Sequence, residues 1–260
     1  MIKFFRQIRH RLLSEGKASK YLLYAIGEIF LVVIGILIAL QINNWSQYQK
    51  DQTLGNSYLR SIVSELTMDR AILTQKIVLA DKLSSEYLEY LQQMYEKQEN
   101  MEAFVQLISS TEWNVDELIL TDIAYSEMVN TGKLDLIRNA KLKDEITQYY
   151  RNYAFVASRV KELNSSNLES INAAGRVAPN LKYSVQAYLD LIPQDALPTH
   201  EDMYHESDWD FINNPRSIAF RLYEEAVYYY YIKQLLLKPM FQDLLDQVNA
   251  ILAFAEQELE

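Results

Sequence analysis

Residues 21–40 read YLLYAIGEIFLVVIGILIAL, twenty positions with a single charge at Glu28. An α-helix rises about 1.5 Å per residue, so about 20 apolar residues cross a hydrocarbon core. A helix in the core of a soluble domain keeps a polar face, and this run has none. A cleaved signal peptide has a shorter apolar core, about 7–15 residues, followed by a small-residue cleavage site. Here the run passes into Gln41-Ile42-Asn43-Asn44-Trp45 with no small-x-small site. We expect an uncleaved signal anchor, with residues 21–41 as one transmembrane helix.

The flanks orient it. Residues 1–20 carry Lys3, Arg6, Arg9, Arg11, Lys17 and Lys20 against Glu15 alone. The positive-inside rule places that end in the cytoplasm and residues 42–260 in the periplasm of a bacterial inner membrane. Residues 1–45 hold 6 basic and 2 acidic groups, leaving 19 basic and 33 acidic groups to residues 46–260. The basic end suits an anionic leaflet. Phe4, Phe5, Ile8 and Leu12 fall on one side of a short basic helix that would lie in the headgroup plane. Tyr21 and Trp45 mark the two interfaces.

Glu28 lies about 10 Å into the span. A carboxylate at that depth is protonated, paired or wet, and is a functional candidate by default. Glu28, Gly35 and Ala39 share one helix face, and Gly35-x-x-x-Ala39 allows close helix approach. Two readings follow. The face is an oligomer contact with Glu28 bonded across it, or Glu28 is a proton-relay carboxylate in a larger complex.

The stretch KYLLYAIGEIFLVVIGILIALQINNW, preceded by its basic segment, resembles the N-terminal signature of a family of uncharacterised single-span membrane proteins of Bacteroidota. Tyr125-Ser-Glu-Met-Val-Asn-Thr-Gly-Lys-Leu-Asp-Leu-Ile-Arg-Asn139, followed by Tyr149-Tyr150, resembles that family's periplasmic core. The resemblance implies an inner-membrane location. It transfers no catalytic residue and no ligand.

Beyond the span, Leu59, Ile62, Leu66, Leu73, Ile77, Ala80, Leu83, Tyr87, Leu91 and Met94 keep close to a seven-residue apolar spacing. This predicts one long helix over 46–98, continuous with the span. A short helix is expected at Ala103–Ser110, and another over 115–131, closed by Gly132. Asn139 is the expected cap of a helix over 141–174, where Leu142, Ile146, Tyr149, Tyr153, Val156, Val160 and Leu163 alternate steps of four and three. Residues 176–215 hold four of the five prolines and form an excursion with a short helix near Leu181–Leu191. Asn213-Asn214-Pro215 reads as the start of a last helix over 216–258, kinked or split at Pro239. No segment alternates with period 2, so the fold class is all-α: a transmembrane helix followed by an extended up-down bundle.

Composition closes off much chemistry. With no Cys there is no disulfide framework, thiolate metal site or cysteine nucleophile. A net charge of -10 disfavours nucleic acid as a partner. No phosphate loop, dinucleotide fingerprint or serine elbow is present. Histidine and carboxylates cluster between His200 and Asp210, but His200 and His205 are five apart, where a two-His zinc helix needs four. They are weak metal candidates; an acidic solvated loop is the expectation, and no cofactor is expected. Tyr228-Tyr229-Tyr230-Tyr231 points all ways round a helix. Some of these rings must be core, and the others could form an interaction surface.

The reading is a non-catalytic, membrane-anchored interaction or scaffold protein. Its partners would be the lipid bilayer and either a second copy of itself or another membrane protein. The alternatives are a periplasmic sensory or ligand-binding module acting through a partner, which would need a tyrosine-lined pocket, and a proton-coupled accessory subunit using Glu28.

Overall fold

The computed structural model describes residues 18–96, 117–177 and 206–259. The chain forms two units, residues 1–57 and 58–260. Four α-helices account for most of the described residues, and no strand occurs among these residues. They are α1 (Ala18–Tyr95), α2 (Ile123–Asn130), α3 (Ala140–Ala174) and α4 (Ile218–Leu259). The all-α class expected from the sequence is the one found. The expected interfacial helix near the N-terminus and the short helices at 103–110 and 181–191 lie outside the described residues, as do His200 and His205.

In the first unit, α1 is helical through the whole apolar run, and its large side chains are exposed from Leu22 to Trp45. None of that stretch is buried, and the helix is long and apolar enough to cross a membrane.

The second unit is built on the stripe the spacing marked. Leu59, Ile62, Leu66, Leu73, Ala80, Leu83, Tyr87 and Met94 of α1 are buried. Full burial of one such side chain contributes about 1.5–3 kcal/mol. Of these, Leu59, Ile62, Leu66 and Leu73 pack with Leu142, Ile146, Tyr149, Val156 and Val160 of α3 and with Leu244, Val248 and Ile251 of α4 in one core. A second core gathers Tyr87, Tyr90, Phe220, Tyr223 and Tyr230 with Ile171 and Ala174. Cross-contacts set the directions. Asp81 meets Lys238 and Tyr90 meets Tyr223, so α4 runs antiparallel to α1. Asn139 meets Glu258 and Asn152 meets Gln247, so α4 is antiparallel to α3 as well. Thus α1 and α3 are parallel, and the described residues form three long helices and one short one, where four long ones were expected.

The joints show why the chain stops and starts where it does. Gly132 has φ +67. It closes α2 with Lys133 N–H donating to the Met128 carbonyl (2.8 Å) and Gly132 N–H to that of Val129 (3.2 Å), the paired bonds of a left-handed helix end. Leu134–Leu136 form a single 3-10 turn. Asn139 then caps α3, its side chain accepting from Leu142 N–H at 3.1 Å. α1 ends at Tyr95, slightly before the expected 98.

Three expectations need correction. Residues 117–122 are not helical, and α2 begins only at Ile123. The start of α4 is not capped around Asn214-Pro215: Ser217 is the cap, its hydroxyl accepting from Phe220 N–H at 3.0 Å. Before it, Glu206–Asn213 forms a 3-10 helix, held by buried Ile212 and by Phe211 against the Tyr223 ring, centroids 5.5 Å apart. Finally, Pro239 does not split α4, which runs on through it. Pro239 is exposed, so the backbone bond its missing N–H removes lies on the solvent side.

No heavy atom lies within 4 Å of a Cβ built on Gly132, so a side chain there is penalised by backbone conformation alone. Gly132→Ala is expected to cost about 1 kcal/mol and Gly132→Asn less, because Asn tolerates the left-handed region. Chemical denaturation of the detergent-solubilised chain checks the order.

Candidate functional site

Among the described residues, buried polar side chains interrupt the apolar stripes at three levels, Glu65 and Asp69 of α1, Asn167 and Ser170 of α3, and Lys233 and Gln234 of α4, and the first and last of these carry charge. Between Leu66 and Leu73 the stripe of α1 skips a turn, and the residue there is Asp69, fully buried. Glu65 beside it is also buried. One Asp69 oxygen accepts from Thr121 N–H and the other from the Tyr149 hydroxyl, both at 2.9 Å. Glu65 accepts from Ala124 N–H with both oxygens, at 3.0 and 3.3 Å. Asp122 precedes α2 but makes no side-chain cap bond, so Glu65 caps that helix from across the core. The Tyr153 hydroxyl accepts from Leu120 N–H at 3.2 Å. Three side chains, Tyr153, Asp69 and Glu65, thereby take the amides of Leu120, Thr121 and Ala124. That is why the segment is not helical, with Leu118 and Leu120 buried and Ile119 exposed between them.

Burial raises the pKa of both acids, and the neighbouring Asp122 charge adds to it; the amide bonds pull the other way. The Tyr149 hydroxyl is pushed far up by burial and by the Asp69 charge. Tyr150 stacks on Tyr125 with centroids 4.2 Å apart, and its own hydroxyl is buried without a hydrogen-bond partner.

The other charged level lies two turns further along α1. Lys76, Leu79 and Ala80 of α1, Glu117, Leu118, Val160 of α3, and Lys233, Gln234, Leu237 and Phe241 of α4 line a cavity of about 20 Å³. Lys233 and Gln234 occupy stripe positions of α4 and are buried, 2% and 5% exposed. Lys76 Nζ donates to the Glu117 carbonyl at 3.1 Å. Burial and the Lys76 charge together lower Lys233 to about 8, and burial lowers Lys76. Gln234 Nε2 is buried and has no hydrogen-bond partner.

The sequence-marked residues fall elsewhere. Glu28 is half-buried and Ala39 exposed in the first unit, and open space surrounds the Cβ position of Gly35. Tyr230 is core, with its hydroxyl pushed up to about 12 by burial. Tyr228 and Tyr229 face outward, and Tyr231 is half-buried. The other core tyrosines form a filled cluster: Tyr90 and Tyr223 share a hydrogen bond of 2.9 Å, and Tyr87 meets Tyr230 with centroids 5.6 Å apart. A sensor was expected to show a tyrosine-lined pocket; the cavity beside Lys233 is lined by lysines, Gln234 and apolar side chains, and by no tyrosine. No group of three metal-ligating side chains occurs among these residues either. Asp69, Lys233 and Gln234 were missed by the sequence reading. The signal was there, as polar residues standing at core steps of otherwise regular stripes.

Residues 28–189 match the family of unknown function DUF6090. The chain belongs to that family. The DUF6090 match opens at Glu28 inside the apolar run and takes in the rest of α1, α2 and α3. It contains Glu65, Asp69 and Lys76 but not α4, so Lys233 and Gln234 lie beyond it. No curated protein and no solved structure matches the chain.

Asp69→Leu should strand Thr121 N–H and the Tyr149 hydroxyl and cost about 1–3 kcal/mol; Asp69→Asn keeps an acceptor and should cost less. The sign of the pH effect follows from raised folded-state pKa values. The stabilising contribution of Glu65 and Asp69 is fully present below their unfolded values near 4 and is lost as pH rises through the raised ones. Urea titrations from pH 4 to 7 should therefore show a fall in stability that is smaller in Asp69→Asn.

Proposed function

We propose that this DUF6090 protein is a single-span, membrane-anchored interaction protein, with its N-terminus cytoplasmic and its helical bundle in the periplasm. One observation supports the anchor above all others: the large apolar side chains from Leu22 to Trp45 lie exposed along an unbroken helix. A surface so continuous needs lipid or protein around it. The basic residues of 1–20 supply the orientation. Glu28, Gly35 and Ala39 are the proposed face for a second copy or another membrane protein, since Gly35 leaves open space in which a neighbouring helix can approach.

A non-catalytic role is supported by what the buried carboxylates do. Glu65 and Asp69 are used in holding backbone amides and a tyrosine. The partner surface we assign to the bundle is the outward face of α4. Tyr228, Tyr229, Leu235 and Leu236 are exposed there at helical spacing. Aromatic rings with polar tips suit such surfaces. The cavity beside Lys233 favours a second reading, a ligand-binding module acting through its partner.

The anchor is tested by membrane fractionation. The full chain should resist alkaline carbonate and leave the pellet only with detergent. Leu31→Lys with Ile34→Lys, each costing about 2.5–3.5 kcal/mol in the span, should move much of it to the soluble fraction. Release of the unmodified chain by carbonate would contradict the proposal.

A further inference from the structure

We propose that the outward face of α4 holds a basic amphipathic helix of a partner protein, an inference that rests on that face being a partner surface. Between Tyr228 and Pro239 the exposed positions are Tyr228, Tyr229, Leu235, Leu236 and Pro239, with Ile232 half-buried among them. None of these carries a charge. At 1.5 Å per residue the apolar stretch runs about 17 Å. The outward positions of α3 read differently: Asp144, Arg151, Lys161, Glu162 and Glu169 are exposed along it, as on a solvated face. A patch as apolar as that of α4 on an otherwise charged surface marks a contact.

The ends of the patch specify the partner's charge. Positions 225, 228, 232, 235, 239, 243 and 246 step by three and four, so the charges beyond the apolar stretch lie on the same side of α4. Glu225 bounds it at one end and Asp243 and Asp246 at the other, all exposed. The side-chain amides of Gln242 and Gln247 donate to Asp246 and Asp243 and leave their charge in place. Arg221 stands one turn outside Glu225, and Lys238 on the flank is engaged with Asp81. Residues 46–260 are themselves acidic, with 19 basic against 33 acidic groups. Glu225 and Asp243 are about 27 Å apart along the helix. The stripe of one helix is covered by the stripe of another. The matching partner is therefore an amphipathic helix of about five turns, with lysine or arginine at both ends of its apolar side. A second copy of α4 running the same way in register would set Glu225 against Glu225 and Asp246 against Asp246. An anionic lipid surface would meet the same acids.

The test uses the full chain in nanodiscs of phosphatidylcholine, with empty discs of the same lipid as the reference. The probes are two fluorescein-labelled amphipathic helices of about 18 residues with the same leucine stripe, one ended by lysine pairs and the other by glutamate pairs. By fluorescence anisotropy the lysine-ended helix should bind the loaded discs on the order of ten-fold tighter than the glutamate-ended one, and the gap should narrow as salt rises. Leu235→Gln with Leu236→Gln changes two exposed side chains and should abolish saturable binding. Glu225→Gln with Asp243→Asn should weaken the lysine-ended helix several-fold. Asp144→Asn with Glu169→Gln, the same change of charge on α3, should leave it unchanged. Equal affinity for the two probes, lost in the leucine variant, would overturn the basic partner and keep α4 as a partner surface. Binding that survives the leucine variant would overturn both. Binding to loaded discs no greater than to empty ones would overturn the proposal, and so would a dimer of the chain that the leucine variant splits, which gives the face to a second copy.

Discussion

Asp69 bonds Thr121 and Tyr149 at once, and the first core of the bundle is arranged around that double contact. Its carboxylate is the point where α1, the non-helical segment 117–122 and α3 meet. A leucine there would satisfy the apolar spacing of α1 and leave two buried polar groups without partners. Glu65 repeats the device one turn earlier and supplies the cap that α2 lacks locally. The connection between α1 and α3 thus depends on acids of α1 and a tyrosine of α3, and not on its own helical bonds. Those acids also place Glu117 and Leu118 against Lys76, which completes the wall of the cavity.

The second core is of a different kind. It is aromatic, and its polar atoms are satisfied ring to ring, as in the Tyr90–Tyr223 bond. Tyr95 donates to Glu224 at its edge, and that bond pushes its own hydroxyl up to about 12. Between the two cores stand Lys76, Lys233 and Gln234. A bundle that needed only stability would fill this level with apolar side chains, since a buried charge seldom stabilises more than a well-packed replacement.

Much of this was legible from residue spacing. The steps of four and three from Leu142 to Leu163 mark the buried face of α3, Asn139 is its cap, and Gly132 closes the helix before it. Those features are local, and local chemistry decides them. The helix expected over 115–131 is shortened by acceptors that lie 52 and 59 residues away in the chain, a distance no windowed pattern spans. Asn213-Asn214-Pro215 carries good start signals, yet Ser217 takes the cap, because Phe211 and Ile212 are drawn into the aromatic core and delay the helix. The cavity was hidden for a third reason. Lys233 and Gln234 stand just beyond the tyrosine run, after Ile232, and a reading that follows aromatic rings passes over the polar pair on the same buried face.

The proposed topology puts the exposed apolar stretch of α1, long and apolar enough to cross a membrane, in lipid and the bundle in water. The chain contains no Cys, so single cysteines report this directly. Ile34 and Ser165 are both exposed. With the outer membrane of a Gram-negative host permeabilised, a membrane-impermeant maleimide should label Ser165→Cys on intact cells and leave Ile34→Cys unlabelled. Equal labelling at Ile34, or labelling of Ser165 only after lysis, would contradict the account.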